Sequence, residues 1–409
     1  MEKIFIGIDV SKNKSTYIAI NDRGDKILGP TTVANSGTGI DKIIDSLKAH
    51  HPDEMLFAME VSSNYWENIC SHLKEKQYKA VCLNPYQVKK YRQAMGSKIK
   101  TDSIDAAVIA ELAKNSGAQE MFISSDEVLN LKELVRIKHS FEDRVKNLKK
   151  SVLSALSLVF PEYTGIIAHP FSKVSIEVLK TYPTAVYTAN CASVSKLVKI
   201  FRKYQGCNFG ASKAKDLIDA AKNSFYSGRA YQTRGLTLSM QLDEISSLEA
   251  KIKIIEDKLR DILAPKDKYP SDFDILNSIK GIGLGTIATF IACIGDVSRF
   301  SSSEKLISYI GLYPKIFESG KYKKKNPSMV KAGPKELRYM LYLSSVASIK
   351  HNEQLRKYYL DRVSAGMPGK KALIKVSVKI VKMMYPMLKS RRSYCDSRVF
   401  FQETPILVS

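Results

Sequence analysis

The chain has 409 residues, 44% of them hydrophobic, and a formal net charge of +23. The length exceeds one ordinary core and predicts two or three domains, while the hydrophobic content excludes a disordered chain. Such a charge imbalance is typical of proteins with a polyanionic partner. The six cysteines form no C-x-x-C pair, so neither a zinc cage nor a disulfide framework is predicted.

The positive charge is concentrated in the last quarter of the chain. Residues 301–409 hold 22 Lys and Arg against 7 Asp and Glu, a net of +15. This favours nucleic acid as the partner over an anionic membrane surface, which needs a basic amphipathic helix with bulky apolar anchors. The most apolar stretch, 279–294, is short and contains Lys280, and no signal peptide precedes the first strand. We expect a cytoplasmic, nucleoid-associated protein without a membrane partner.

The first 122 residues alternate strand and helix patterns. Strands are predicted at 4–10, 16–20, 31–33, 56–59 and 80–83, and helices at 40–47, 65–74, around 89–92 and from Asp102 onward. This order predicts an α/β domain in which a hairpin opens the sheet and helical crossovers join the later strands.

The remaining chain is predicted to be mainly helical. Apolar residues recur at alternating spacings of four and three over 141–159 and 245–262, as in coiled coils, which fits either antiparallel pairing or dimerisation. Residues 161–234 between them are less periodic and indicate a helical insertion. We predict three parts: 1–122, a helical coiled-coil region at 123–265, and a basic, mainly α domain at 266–409.

Four carboxylates stand out in the first part. Asp9 and Glu60 end predicted strands, and Asp102 and Asp105 share one face of a predicted helix. Hard cations such as Mg²⁺ need clustered oxygen ligands, and two such ions can clamp the attacking and leaving oxygens in phosphoryl transfer. The pattern therefore predicts a site for metal-dependent phosphodiester chemistry with two Mg²⁺ ions, for which Mn²⁺ could substitute.

Two other interpretations apply to these acids. Asp102 with Asp105 also fits an ordinary helix cap with an acidic first turn, although an unpaired carboxylate at Asp9 on an apolar strand is costly. An actin-like ATPase also begins with an apolar strand and G-I-D. Its phosphate-binding hairpin requires a glycine soon after the Asp so that the backbone can approach the phosphate closely. Residues 10–14 contain no glycine, which disfavours this interpretation.

A glycine-rich segment begins the last part. Gly281 and Gly283 are flanked by helical patterns and lack a preceding strand, so they do not form a dinucleotide fingerprint. They are typical of a helix-hairpin-helix, whose tight turn brings backbone N–H groups to a DNA phosphate. A plain turn between two helices is the alternative.

A serine on a predicted turn follows. Ser319 precedes Gly320 and a run of cations that could stabilise an attacking alkoxide and the phosphate. The residues proposed to contact nucleic acid here are Lys321, Lys323, Lys324, Lys325, Lys331 and Arg338. A simple Ser-Gly turn beside a solvated lysine face is the alternative.

Taken together, these motifs resemble the DEDD-type insertion-sequence transposases. The resemblance rests in the first part on the segments around Asp9, Glu60 and Lys100–Ala106. In the last part it rests on Gly281–Gly283, Arg299-Phe300, Gly311–Pro314, Glu318–Gly320, Lys331–Gly333 and Leu337-Arg338. The two matches cover about half of the chain, at both ends and in the right order.

The resemblance implies an RNase H-like, Holliday-resolvase-like first domain and a C-terminal transposase domain. It also implies recombination guided by a structured RNA from the element, with double-stranded donor and target DNA, a homo-oligomer (dimer or tetramer), and excision through a circle. The acids and the C-terminal serine, here Ser319, would form a composite active site across subunits, with the serine linked covalently to DNA.

We therefore expect a metal-dependent DNA recombinase that excises and inserts its own mobile element. Two other functions remain as alternatives. A junction resolvase or RNase H-like nuclease would use water in place of Ser319, and a non-catalytic scaffold would only bind nucleic acid.

Overall fold

The computed structural model describes residues 3–61, 64–83, 85–96, 101–115, 126–264, 271–313, 318–319, 322–323, 329–330 and 333–395. The chain divides into two compact units, residues 1–123 and 124–409. The further boundary expected near residue 265 stays a prediction. In the described ranges, no helix is long and apolar enough to cross a membrane.

The first unit contains a five-stranded mixed sheet in the order β3-β2-β1-β4-β5. Strands β1, β2 and β3 are antiparallel neighbours, and β4 and β5 run parallel to β1. The predicted opening hairpin and the helical crossovers are confirmed. The strands are β1 (Ile4–Val10), β2 (Lys14–Asn21), β3 (Lys26–Ala34), β4 (Met55–Glu60) and β5 (Lys79–Leu83).

Helices cover both faces of this sheet, because its central strands are apolar on both sides. The helices are α1 (Gly37–Ser46), α2 (Trp66–Glu75), α3 (Pro85–Ala94) and α4 (Asp102–Asn115). Residues Ile4, Ile6 and Ile8 pack toward α1 and α2. Phe5 and Ala58 pack on the opposite face with apolar residues of α4. The α/β architecture agrees with the expected RNase H-like domain.

The second unit is built on two long helices, α5 (Asp126–Val159) and α11 (Tyr231–Leu263). They are antiparallel: Lys138 of α5 pairs with Glu256 at 3.3 Å, and Ser151 accepts a hydrogen bond from Gln241 at 2.9 Å. The predicted apolar seams face a shared core that includes Val145, Val152, Ile245 and Leu248. Of the two pairings left open by the sequence, the structure contains the antiparallel one within the chain.

The segment between the long helices is helical, as predicted. It contains α6 (Tyr163–Ile166), α7 (Lys173–Thr181), α8 (Ala185–Cys191), α9 (Val194–Arg202) and α10 (Ala211–Lys222). Its buried residues, such as Val178, Leu197 and Leu217, join the core of the two long helices. The insertion is therefore packed onto α5 and α11 and shares their core.

The last part contains α12 (Asp272–Asn277), α13 (Leu284–Ile294), α14 (Ser303–Ile310), α15 (Lys335–His351), α16 (Glu353–Ser364) and α17 (Gly369–Ser390), with the two-residue strands β6 (Glu318–Ser319) and β7 (Tyr322–Lys323). These helices bury a second apolar core that includes Phe290, Leu341 and Ile380. The mainly α architecture expected for this part is confirmed.

Candidate active site

Asp9 and Glu60 lie at the carboxyl ends of neighbouring parallel strands. Ile8 of β1 pairs with Met59 of β4, so the next pair along this register is Asp9 and Glu60. Side chains that pair in register point to the same face of a sheet. Phe5 lies an even number of positions from Asp9, and Ala58 lies an even number from Glu60, so these residues are on the same face of the sheet. Phe5 and Ala58 pack with residues of α4, so this face is the one that α4 covers. Two of the four predicted acids therefore share one edge and one face.

Helix α4 brings its first turn to the same edge. A Cβ atom at Gly7 would lie 2.0 Å from the carbonyl oxygen of Ala106, so β1 and α4 approach each other closely there. The far end of α4 reaches the β2–β3 turn, where a Cβ atom at Gly24 would lie 3.1 Å from Lys114 Nζ. Because that turn lies at the amino end of β1, α4 runs antiparallel to β1. Its first turn, with Asp102 and Asp105, is therefore at the carboxyl ends of β1 and β4.

Asp102 and Asp105 have different surroundings. The hydroxyl of Thr101 accepts a hydrogen bond from Ile104 N at 3.3 Å and so caps the helix, which leaves Asp102 exposed without a capping role. Asp105 is buried. Its Oδ1 atom lies 2.6 Å from Nη2 of Arg92, a residue of α3, with 8% of the Asp105 side chain and 18% of the Arg92 side chain exposed.

A cation is thus already held at the acidic edge, in the form of the Arg92 guanidinium. In the part of the chain that the structure describes, no three His, Cys, Asp or Glu side chains stand close enough together to hold a metal ion. The donor chemistry nevertheless suits a hard divalent cation, since all four candidates are carboxylates. For Asp105 to bind a metal ion through Oδ1, Arg92 would have to move away from that atom.

The glycine hairpin lies between α12 and α13, as expected. Gly281 has a φ of +95°, and a Cβ atom there would lie 2.5 Å from the Cα atom of Ser348 in α15. Gly283 precedes α13, and a Cβ atom there would meet nothing within 4 Å. Gly281 is therefore required for close packing, whereas Gly283 faces open space in which a phosphate could approach. Contact of either glycine with nucleic acid stays a prediction.

A network of polar side chains around a buried lysine joins α5 to the helix that follows the hairpin. Lys138 is 5% exposed and pairs with Glu142 and, at 3.3 Å, with Glu256. Its neighbour His139 contacts Glu142 at 3.0 Å through Nδ1 and Thr289 of α13 at 3.2 Å through Nε2. This network joins α5, α11 and α13, and its charges are paired, as burial requires.

The network makes stability depend on pH. Burial raises the pKa of Glu142, but hydrogen bonds with His139 and Lys138 outweigh it, so this pKa lies below its usual value of 4.5. A lowered folded-state pKa contributes stability above the unfolded pKa, which is lost as the pH falls through the folded value. We expect Glu142→Gln to lower the free energy of unfolding at neutral pH by less than about 1 kcal/mol, because Glu142 is 40% exposed.

Urea unfolding of wild type and Glu142→Gln at pH 7 and pH 4 checks this expectation. The difference between the two proteins should shrink at the lower pH. Glu133→Gln is the matched control, since Glu133 belongs to an exposed pair with Arg136 on the same helix. A difference between wild type and Glu142→Gln that grows toward pH 4 would contradict the assigned direction.

The segment that carries Ser319 is a short hairpin. Ser319 of β6 pairs with Tyr322 of β7, and Glu318 pairs with Lys323. Backbone pairing thus places Ser319 at the end of β6. The Ser-Gly turn predicted to follow it lies outside the described residues, so it stays a prediction. The predicted contacts Lys321, Lys324, Lys325 and Lys331 lie outside the described residues.

Arg338 sits where this segment joins the helices. Its Nη1 atom donates hydrogen bonds to the carbonyl oxygens of Ile310, at 3.1 Å, and Gly333. A Cβ atom at Gly333 would lie 2.1 Å from the carbonyl oxygen of Tyr309, so the chain closes tightly here. Arg338 therefore ties the two ends of the 311–333 segment together, a role that the sequence did not predict. Its contact with nucleic acid stays a prediction.

Arg92 was also missed as a site residue. The sequence predicts a helix around 89–92 that contains Arg92, but a charge pattern does not reveal which acid an arginine meets. An arginine ten to fifteen residues before a candidate acidic helix is a weak signal, and only the packing of α3 on α4 makes the pair visible.

Comparisons with known proteins agree with the motifs. Residues 6–161 match the sequence profile of the DEDD transposases of IS110 type, and residues 273–360 match that of the IS116/IS110/IS902 transposase family. The chain is similar to the insertion element IS116 uncharacterized 44.8 kDa protein of Streptomyces clavuligerus, with 22% identity over 96% of each chain. It is also similar to the pilin gene-inverting protein of Moraxella bovis, with 21% identity over 98% of this chain and 99% of that one. The pilin gene-inverting protein of Moraxella lacunata is 22% identical over 98% of this chain and 99% of its own.

Proposed function

Because the chain belongs to the IS116/IS110/IS902 family of transposases, we propose that it excises and inserts its own mobile element by metal-dependent phosphodiester chemistry with a serine nucleophile. The observation that carries this proposal is the convergence of Asp9, Glu60, Asp102 and Asp105 on one edge of the sheet. The two Moraxella relatives are named pilin gene-inverting proteins, and this name supports a role in DNA recombination.

The four acids would hold divalent cations, Mg²⁺ or Mn²⁺. When bound, such ions stabilise charge on the attacking and leaving oxygens of a phosphodiester. The protein contributes the frame: β1 and β4 fix Asp9 and Glu60 side by side, and the Gly7 contact sets the distance between α4 and the sheet. The backbone positions of the carboxylates would thereby be set before DNA arrives, and metal binding would still require their side chains to move together.

Ser319 would supply the nucleophile. Its hydroxyl oxygen attacks the phosphorus atom, the bond to the leaving sugar oxygen breaks, and that oxygen takes up a proton. The DNA strand is then joined to the protein as a phosphoserine ester, and attack by a sugar hydroxyl of the partner strand releases the serine. Two such steps conserve the number of phosphodiester bonds, as recombination requires.

The partners complete this proposal. Donor and target DNA would bind through the basic last quarter of the chain by neutralisation of phosphates. A structured RNA from the element would select the target, and a dimer or tetramer would bring Ser319 of one subunit to the acids of another. RNA guidance and the shared site come from the family resemblance.

The test is made in cells that carry the gene with its native flanking DNA. The junction of the excised circle is amplified and sequenced for wild type, Asp102→Asn and Ser319→Ala. We expect the circle in wild type and its loss, by at least about a hundredfold, in both variants, since each removes a group acting on the reacting phosphate.

Each alternative function predicts a different pattern. A circle that persists in Ser319→Ala would indicate that water replaces the serine. A wild-type chain that binds DNA without Mg²⁺-dependent cleavage would indicate a scaffold. Full activity in Asp102→Asn would refute the assignment of the acids. Asp45→Asn, a carboxylate on α1 away from the acidic edge, is the matched control and should leave the circle unchanged.

A further inference from the structure

A pocket of about 250 Å³ lies between α1 and α2 in the first unit. Ile40 and Ile69, both buried, form its apolar floor. At roughly 30 Å³ for each water molecule it holds about eight waters, which is the scale of one nucleobase with part of its sugar. It is smaller than the roughly 300–1,000 Å³ of sites for drug-sized ligands.

The rim of the pocket combines a cation, an aromatic ring and hydrogen-bonding groups. These are contributed by Lys12, Tyr65, Asn68 and His72, and the Tyr65 residue is 42% exposed. Asp41 on α1 holds the ring of His72 through its Nε2 atom at 2.9 Å, so the orientation of that ring is set before any ligand binds. No acidic residue lines the pocket in the described part of the chain.

The pocket lies at the same edge of the sheet as the candidate acids, but on the face covered by α1 and α2, whereas Asp9 and Glu60 lie on the face covered by α4. Lys12 is three residues beyond Asp9, and Tyr65 is five residues beyond Glu60. Because an extended chain spans at most about 3.6 Å per residue, the Cα atom of Lys12 lies within about 11 Å of that of Asp9. By the same limit, the Cα atom of Tyr65 lies within about 18 Å of that of Glu60. A polynucleotide strand whose phosphate meets the acids could thus pass around this edge and reach the pocket within a few nucleotides.

We propose that this pocket binds one unpaired nucleotide of the DNA strand that flanks the cleaved phosphodiester, with its base against Tyr65 and its phosphate at Lys12. Insertion of a base into the pocket requires that the base be out of the duplex, because a base paired inside a duplex has both of its faces covered by its neighbours. The proposal deepens the proposed function and rests on it, since it assigns to this edge the same DNA strand.

The test measures equilibrium binding of full-length Asp102→Asn protein to two DNA probes. One is a blunt duplex, and the other is the same duplex with three unpaired nucleotides at one end. We expect the tailed duplex to bind more tightly. Tyr65→Ala should weaken binding of the tailed duplex by on the order of tenfold and leave the blunt duplex unchanged, whereas Tyr65→Phe should retain the affinity.

Two further readouts locate the effect. Trp66, the single tryptophan of the chain, follows Tyr65, so its emission should change with the tailed duplex and not with the blunt one. Lys12→Ala should weaken the tailed duplex and reduce the salt dependence of its binding by about one phosphate contact. Lys42→Ala, an exposed lysine of α1 that does not line the pocket, is the matched control.

The outcomes separate this proposal from the proposed function. If the chain binds neither duplex, the recombinase itself is in doubt. If it binds both but Tyr65→Ala weakens them equally or not at all, the pocket assignment is wrong while DNA binding stands. An RNA tail that binds the pocket more tightly than the DNA tail would overturn the choice of DNA as the occupant.

Discussion

Replacing Gly7 by alanine is expected to destabilise the first unit by about 3 kcal/mol or more. The added methyl group would lie 2.0 Å from Ala106 O, 2.5 Å from Ala110 N and 2.9 Å from Ala110 Cβ. Two of these atoms belong to the backbone of α4 and cannot move aside as a flexible side chain would. Overpacking of a core typically costs about 1–3 kcal/mol, and a clash with backbone lies at the upper end or above it.

The consequence reaches the candidate acids, because relief of the clash requires α4 to move away from β1. That movement would withdraw Asp102 and Asp105 from Asp9, so recombination should be lost even in molecules that remain folded. Unfolding in urea is monitored by the emission of Trp66, which lies in the first unit. The excision assay then measures recombination by the same variant.

Gly29→Ala is the matched control for this substitution. Gly29 also lies in a strand of the same sheet, but a Cβ atom there would meet nothing within 4 Å. We expect it to be neutral or slightly stabilising, since alanine restricts the unfolded chain more than glycine does. An unchanged unfolding midpoint for Gly7→Ala would show that α4 does not pack on β1 this closely.

Much of the first unit could be predicted from the sequence because its signals are local. Alternation and apolar runs identified all five strands, and a helix was predicted to start near Asp102, which is where α4 begins. Once β1 and β4 are parallel neighbours, the positions of Asp9 and Glu60 at their ends follow from the strand boundaries alone. The placement of Asp9 and Glu60 at one edge of the sheet was therefore predictable from the sequence.

Contacts between distant residues could not be predicted in the same way. The role of Gly281 depends on Ser348 in another helix, and a glycine pattern typical of a phosphate-binding turn does not reveal that neighbour. Likewise, Arg338 was interpreted as a DNA contact because it lies in a basic run, and that pattern could not reveal that its guanidinium also donates to two carbonyl oxygens. A residue's charge indicates what it can bind, and only packing decides what it does bind.

The Arg92–Asp105 pair leads to the second large effect. Arg92→Gln should lower the free energy of unfolding by about 2–3 kcal/mol when no divalent cation is present. The substitution removes the guanidinium that lies 2.6 Å from the buried carboxylate of Asp105. Breaking a buried ion pair from one side costs about 3–5 kcal/mol when burial is complete. The partial exposure of Arg92, 18% of its side chain, reduces that figure.

Lys114→Gln provides the matched control on the same helix. Lys114 pairs with Glu111 at 3.0 Å, with 17% and 26% of the two side chains exposed, but this pair lies at the end of α4 away from the acids. We expect a loss of less than about 1 kcal/mol, because Glu111 keeps more contact with water. The double variant Arg92→Gln with Asp105→Asn should recover part of the stability lost in Arg92→Gln, since no buried charge is then left unpaired.

Magnesium should reverse the effect of Arg92→Gln more than it stabilises the wild type. If the cation and Arg92 compete for Asp105, removal of Arg92 leaves the carboxylate available, and Mg²⁺ binds more tightly. Stabilisation by a ligand grows with the ratio of its concentration to its dissociation constant, so the unfolding midpoint of the variant should rise more steeply with Mg²⁺. Weaker Mg²⁺ binding in Arg92→Gln would instead mean that Arg92 orients Asp105 for the metal, and the two cations would then act together at the acidic edge.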